Sequence, residues 1–131
     1  MQPHPFAEHI GLVFTAPPGE GASCCRLTLG PEHLNPHGVV HGAVLFALAD
    51  TGMGAALVPT LGADQSCATI EMKINFHRSA RDGLLQCVST LVNRGRTVAT
   101  LESRLTQGER LLATASGNFA IFARERGAGR R

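Results

Sequence analysis

Residues 41–58 read HGAVLFALADTGMGAALV, and this apolar run decides the fold. Pro59 ends the run, and at 1.5 Å per residue a helix over it is ~27 Å long. Apolar side chains lie nearly all round such a helix, which is typical of a helix buried on every side. The run therefore predicts a central helix that the rest of the chain covers.

The segments around this helix predict β-strands. Residues 67–76 alternate between apolar and polar side chains, and the alternation places Thr69 on the polar face. A period of two with one polar face predicts an antiparallel sheet with one wetted side. Further strands are predicted over 24–29, 84–92, 97–106 and 111–123. We therefore expect an α+β fold in which one curved antiparallel sheet wraps around the helix, with sheet edges and a helix side left for a partner chain.

The composition is that of a globular domain and argues against several function classes. Hydrophobic residues make up 44% of the 131 residues and charged residues 17%, a balance that excludes disorder. A net charge of +2 is too small for a nucleic-acid surface. We expect no signal peptide and no membrane span, and the four cysteines form no CxxC pair. We expect one cytoplasmic domain over residues 1–131 with reduced thiols and frayed tails at 1–5 and 124–131.

Asp50 is the only acidic or basic residue of the predicted helix, apart from the histidine at its start. An unpaired carboxylate among apolar side chains is costly, so this position needs an explanation. Small residues on its helical face leave room beside the carboxylate: Ala43, Ala47 and Gly54. The pattern indicates a reactive carboxylate. The alternative is that Asp50 caps a second helix that begins at Thr51.

The start of the helix holds a second candidate, the pair His41-Gly42. The Gly42 N–H is one of the donors that a first helical turn leaves unsatisfied, and such donors can stabilise an anion or a developing oxyanion. A plain loop-to-helix transition explains the pair equally well. His41 and Asp50 are nine residues apart, which in a regular helix is ~13.5 Å along the axis and about 180° around it. If both serve one reaction centre, they come from different chains.

The loop before the helix offers a metal-site interpretation and a candidate amide. His33, His37 and His41 would stack on one face of a helix and could then bind zinc. A proline and a glycine between them interrupt that helix, so we expect no metal site. Asn35, in the same loop, is either a turn residue or an amide that orients a carbonyl or a water molecule. Thr69 is, by propensity alone, an ordinary strand threonine.

The stretch 33–57 resembles the signature of the hot dog fold thioesterases, specifically the PaaI-like group. An asparagine in a loop, a His-Gly pair at the helix start and a Leu-Ala-Asp triplet are matched by Asn35, His41-Gly42 and 48–50. The resemblance covers nearly the whole chain beyond residue 5. It implies a hot dog fold with a central helix at about residues 41–58.

Two positions depart from the pattern of this group. Ala43 stands where the group has the second glycine of His-Gly-Gly. The resemblance implies that its extra methyl group narrows the mouth of the substrate pocket. Ser79 stands where the group has a proline after Arg78, which affects only the rigidity of a turn.

The resemblance implies an acyl-CoA thioesterase that works as a homodimer, with active sites at the interface, and that often forms a dimer of dimers. Asp50 would act as general base or nucleophile, and the Gly42 N–H would polarise the thioester carbonyl. Asn35 and His41 would position the thioester or the lytic water, which Thr69 would help to hold.

Coenzyme A would enter only as part of the substrate, so no separate cofactor is implied. Its phosphates would lie near basic side chains, for which the candidates are Arg78, Arg81, Arg94 and Arg96. A non-catalytic acyl-CoA binding module and a hot dog fold dehydratase are the alternatives. The presence of Asp50 argues against the first, and the lack of a Pro-Gly-rich motif with a helical histidine argues against the second.

Overall fold

The computed structural model describes residues 3–124. Its elements in chain order are α1 (Pro5–Ile10), β1 (Val13–Thr15), β2 (Ala22–Thr28), α2 (Gly42–Leu57), β3 (Gln65–Phe76), β4 (Leu84–Arg94), β5 (Val98–Gln107) and β6 (Arg110–Ala123). Short 3-10 turns lie at Pro31–His33 and Val58–Thr60. The predicted tails fall mostly outside the described residues, at 1–2 and 125–131, while Pro5 already begins α1 with His4 as its N-cap.

The strands form one antiparallel sheet in the order β1-β2-β4-β5-β6-β3. This sheet packs around α2, so the hot dog architecture and the predicted central helix are confirmed. Every strand expected from the sequence is present. The short strand β1 was not predicted, because three residues do not display a measurable alternation.

The central helix is continuous through Asp50, so the alternative in which Asp50 caps a second helix is wrong. The side of α2 that we expected the sheet to leave uncovered is present. One face packs on the sheet through Leu45, Leu48, Ala49, Gly52, Met53, Ala56 and Leu57. On the other face the Phe46 side chain is 41% exposed. Residues Gly42–Thr60 have the length and hydropathy of a membrane-spanning helix, a test that a soluble core helix also passes.

The exposed face exists because the sheet curls only part of the way around the helix. β1 and β3 are the two edges of the sheet and are not paired with each other. Phe14 of β1 and Thr69 of β3 line one groove, and α2 forms its floor. The gap between the two edges therefore leaves one side of the helix open.

A row of polar side chains fixes α2 on the sheet. Three buried serines lie side by side on adjacent strands beneath the helix: Ser23, Ser89 and Ser103. The Ser23 hydroxyl donates to the Gly52 carbonyl at 2.6 Å, and the Ser103 hydroxyl donates to the Ala49 carbonyl at 3.4 Å. A Cβ on Gly52 would lie 2.5 Å from Ser89 Oγ, so this glycine allows the close approach. These contacts fix the distance between the sheet and the helix segment that carries Asp50.

A β-bulge in β3 changes which residues face the helix. The pairing of β3 with β6 shifts between Thr69 and Glu71, which leaves Ile70 as the extra residue. Thr69 hydrogen-bonds to α2, and Met72, three positions later, packs against the core. The prediction that Thr69 lies on the polar face is therefore wrong, because a strict period of two does not hold across the bulge.

Candidate active site

The carboxylate of Asp50 and the hydroxyl of Thr69 meet in the open groove beside α2. Thr69 Oγ1 donates a 2.7 Å hydrogen bond to Asp50 Oδ1. No other hydrogen bond to this carboxylate comes from residues 3–124. Oδ2 therefore keeps its acceptor capacity for a water molecule or a substrate.

The groove around this pair is large and mostly apolar, with a volume of about 900 Å³. The small residues predicted beside Asp50 do line it, namely Ala43, Ala47 and Gly54. Four of the six phenylalanines also line it: Phe6, Phe14, Phe46 and Phe119. A carboxylate at the side of an apolar groove can act on a polar group at one end of an apolar ligand.

The sequence reasoning missed the part of this groove that comes from the N-terminal segment. His4 and Phe6 line the groove although they lie far from Asp50 in the chain. No local motif connects such distant residues, since only the curl of the sheet brings β1 back toward the helix. Cys67 of β3 was also not assigned to the site, and burial raises the pKa of its thiol.

The start of α2 has the geometry of an anion-binding helix terminus. His41 is the N-cap, and its Nδ1 accepts a 2.9 Å hydrogen bond from the Ala43 N–H. The Gly42 N–H has no acceptor within the part of the chain that the structure describes. A Cβ on Gly42 would lie 3.1 Å from the ring of Phe76, so a larger side chain here would press on that ring. The free donor and the helix dipole together suit a developing negative charge.

Gly42 and Asp50 face different depressions of the same chain. The depression at Gly42 has a volume of about 400 Å³ and is lined by Phe76, His77 and Arg78, among others. None of its lining residues belongs to the groove that holds Asp50. The structure of one chain therefore does not bring the two predicted site residues together, as the helical spacing of His41 and Asp50 had indicated.

Asn35 orders the loop before α2 through its side-chain oxygen. Its Oδ1 accepts hydrogen bonds from the backbone N–H groups of His37, at 2.9 Å, and Val39, at 3.4 Å. This makes it a turn residue, as one of the two interpretations predicted. Its Nδ2 donates to no acceptor among the described residues, so the group that it can offer a ligand is a donor.

The three loop histidines have separate environments. His33 is buried, accepts from the Gly30 N–H at 2.9 Å and donates Nε2–H to the Ile10 carbonyl at 2.7 Å. Both its ring nitrogens are therefore engaged with the backbone. Among residues 3–124, no three His, Cys, Asp or Glu side chains lie close enough together to hold a metal ion.

The four candidate arginines form two pairs, one near the start of α2 and the other near the β4–β5 turn. Arg78 lies beside Gly42 and donates to the Leu111 carbonyl at 3.2 Å, and Arg81 Nη1 is close to Gly38 in the loop. The other two, Arg94 and Arg96, lie near the β4–β5 turn. Of these, Arg94 donates to the Thr60 carbonyl and the Gln65 side chain near the start of β3, and Arg96 is exposed.

Comparison with known proteins gives one family and consistent structural neighbours. The family model described as "Thioesterase superfamily" matches residues 37–114, which include Gly42, Asp50 and Thr69. A Pseudomonas aeruginosa protein named "Putative esterase PA0474" is 33% identical over 118 residues, which are 89% of this chain and 88% of the relative.

Among solved structures, the conserved protein PA5202 of Pseudomonas aeruginosa is 35% identical with a TM-score of 0.85, covering 89% of this chain and 93% of that chain. A mutant of the phenylacetic acid degradation protein PaaI from Thermus thermophilus is 25% identical with a TM-score of 0.81, covering 89% and 98%.

Proposed function

Because this chain belongs to the thioesterase superfamily and is a thioester hydrolase, we propose that it hydrolyses acyl-CoA at a site shared by two subunits. The observation that carries the proposal is the Asp50–Thr69 pair in an apolar groove, at a distance from the free N–H of Gly42. A carboxylate and an oxyanion donor suffice for a thioester, whose thiolate is a good leaving group. Membership of this family supports hydrolysis over the two alternatives, a non-catalytic acyl-CoA binding module and a dehydratase.

The edge strand β3 supports the proposal of a dimer. It is 12 residues long, and its outer edge pairs with no other strand of the described sheet. Long, unprotected edges pair readily with a second chain. Two copies of β3 related by a two-fold axis would pair antiparallel and continue the sheet from one subunit into the next.

Such pairing would bring the two halves of the site together. If 65–76 overlaps fully in antiparallel register, Phe76 lies opposite Gln65 of the partner subunit. Phe76 covers Gly42, and the groove with Asp50 lies toward the Gln65 end of the strand. The Gly42 N–H of one subunit would therefore approach the Asp50 groove of the other.

The same two-fold pairing of β3 would bring candidate arginines from the two subunits close together. Arg78 and Arg81 lie at the Phe76 end of β3, whereas Arg94 is bonded to Gln65 at the other end. Antiparallel pairing places these ends side by side at each site. We propose that this basic region binds the phosphates of coenzyme A, and that no further cofactor takes part.

In the proposed reaction, Asp50 accepts a proton from a water molecule as the oxygen of that water attacks the thioester carbonyl carbon. The carbonyl electrons move onto oxygen, where the Gly42 N–H stabilises the oxyanion and Asn35 Nδ2 donates from the same subunit as Gly42. Collapse of this intermediate breaks the C–S bond. The CoA thiolate leaves and takes up the proton that Asp50 had accepted from water, which restores the carboxylate, and the acid is released.

Thr69 orients the carboxylate in this scheme. Its hydroxyl proton is directed to Asp50 Oδ1, so Oδ2 remains the oxygen that accepts the proton of water. Direct attack by Asp50 on the carbonyl, with an anhydride intermediate, uses the same groups. Hydrolysis in ¹⁸O-labelled water under single-turnover conditions identifies the anhydride route when the acid is released without label, because attack of water on the Asp50 carbonyl of the anhydride leaves a carboxylate oxygen in the product.

The experiment that tests the function is a hydrolysis screen of the purified protein with acyl-CoA esters of short, medium and aryl acyl groups. Release of free thiol is measured against time. We expect turnover with at least one class, and loss of that turnover in Asp50→Asn. Absence of turnover with every acyl-CoA, together with hydrolysis of simple acyl thioesters, would contradict the CoA assignment but not the hydrolase.

A further inference from the structure

The central helix contains two interior glycines, and packing explains only one of them. A Cβ on Gly52 would lie 2.5 Å from Ser89 Oγ, whereas a Cβ on Gly54 would have nothing within 4 Å. Gly54 has no positive φ that would require glycine. Glycine is among the least favourable residues in a helix interior. The contribution of Gly54 is therefore the open space that it leaves above the helix.

This space is part of the groove that holds Asp50. Gly54 follows Asp50 by four residues, so it lies on the same face of α2, ~6 Å further along the axis. Beyond it the groove continues to Val58 and Pro59, with Cys67 from β3 as one wall. The N-terminal segment also contributes to the lining of the groove through Phe6.

An apolar ligand at Asp50 meets different surroundings in the two directions along the helix. Toward the helix start, Ala43 and Ala47 line the groove together with Phe46, which is 41% exposed and is the largest side chain that the helix contributes to the lining. Toward the helix end, the floor is Gly54 and the lining is mainly apolar. An occupant that runs from Asp50 along the helix in this direction passes over Gly54 and reaches Val58 and Pro59.

We propose that Gly54 is a specificity-determining residue, and that the acyl chain of the substrate runs from Asp50 across Gly54 toward Val58. The inference rests on the proposed function and adds the direction and class of the acyl group. The protein selects apolar acyl groups long enough to pass Gly54 over acetyl or butanoyl groups. Each methylene that is buried past this point adds to the binding free energy of the longer chain.

The test compares binding of two non-hydrolysable thioethers, dodecyl-CoA and butyl-CoA, by titration calorimetry. Wild type should bind dodecyl-CoA more tightly. Gly54→Leu, which fills the space above the helix, should reduce the dodecyl-to-butyl affinity ratio by at least about tenfold. Phe122→Ala is the matched control, because Phe122 is a 46% exposed phenylalanine outside the groove, and its ratio should equal that of wild type.

An unchanged ratio in Gly54→Leu would overturn the proposal, and so would an equal loss for both thioethers. Dissociation of the dimer by Gly54→Leu, measured by light scattering, would also overturn it, because Gly54 would then contact the partner subunit. The binding measurement does not depend on turnover. It therefore tests Gly54 even if Asp50→Asn leaves hydrolysis intact, which would contradict the proposed function alone.

Discussion

The hydroxyl of Thr69 donates a 2.7 Å hydrogen bond to Oδ1 of Asp50, and this bond joins the central helix to an edge strand of the sheet. The two residues are brought together by the bulge at Ile70, which turns Thr69 toward the helix. The bond fixes the orientation of a carboxylate whose second oxygen faces an open groove. Two substitutions separate the contributions of the two partners.

Thr69→Val removes the hydroxyl and keeps the shape of the side chain. We expect kcat to fall by about 10- to 100-fold, since one hydrogen bond to a charged group contributes roughly 1.5–3 kcal/mol when it is fully used. The melting temperature should change little, because the site is open to solvent. Thr69→Ser retains the hydroxyl and should keep most of the activity. Equal losses in Thr69→Val and Thr69→Ser would mean that the methyl contact, not the hydrogen bond, matters.

Asp50→Asn keeps the size and removes the basic oxygen. The loss of a general base typically lowers kcat by a factor of about 100 to 10,000, and we expect a decrease in this range. Steady-state thiol release measures it, and the KM for acyl-CoA should change much less than kcat. Wild-type kcat in a variant of correct oligomeric state would exclude Asp50 as base or nucleophile.

The two helix glycines give a matched pair for stability. In Gly52→Ala the new methyl group meets Ser89 Oγ, so we expect destabilisation by roughly 1–3 kcal/mol. In Gly54→Ala the methyl group enters open space, and the gain in helix propensity should stabilise the protein by up to about 1 kcal/mol. Urea unfolding measures both. The same sign of change in the two variants would contradict the placement of the helix on its serine row.

Cys67 lines the groove, so its chemical reactivity can be used to detect a ligand there. It is the only partly exposed cysteine of the four, and the other three are buried. Because burial raises the pKa of the Cys67 thiol, its thiolate fraction at pH 8 is smaller than that of an unperturbed cysteine. We expect iodoacetamide to modify Cys67 alone, more slowly than free cysteine, with a rate that rises as the pH increases past 8. Mass spectrometry identifies the site, and dodecyl-CoA thioether should slow the modification. An unchanged or faster rate of labelling in its presence would place the acyl chain elsewhere.

The extent of sequence prediction follows from the range of the interactions involved. The helix at 42–57 and the later strands are set by local periodicity, which the sequence displays directly. Local periodicity does not determine on which face of the sheet Thr69 lies, because the bulge at Ile70 depends on how β3 pairs with β6. One extra residue reverses, from that point on, which side chains face the helix and which face away. No property of Ile70 itself predicts that a bulge forms there.

The candidate site divides in the same way. The small residues beside Asp50 follow from helical spacing, and the structure confirms that they line the groove. The wall formed by Phe6 and Phe14 could not be predicted, since it depends on how far the sheet curls around α2. The roles of Asn35, His41 and the four arginines stay predictions, because they depend on a second subunit.

Mixing two inactive variants tests that second subunit directly. Asn35→Asp keeps the side-chain oxygen that accepts from the loop N–H groups and removes the Nδ2 donor, and Asp50→Asn removes the base. In a heterodimer of the two, one site combines both substitutions and the other is intact if Asn35 and Asp50 come from different subunits. Random exchange forms heterodimers in half of the population, so about a quarter of wild-type activity should return.

The control for this mixture is subunit exchange itself, followed by native mass spectrometry of differently tagged variants. Each variant alone should show at most a few per cent of wild-type activity. If both groups of a site came from one chain, every site in the heterodimer would carry one substitution and the mixture would stay inactive. Exchange without recovery of activity would therefore place Asn35 and Asp50 in the site of the same subunit. This result would contradict the shared site that we propose from the separate depressions of Gly42 and Asp50.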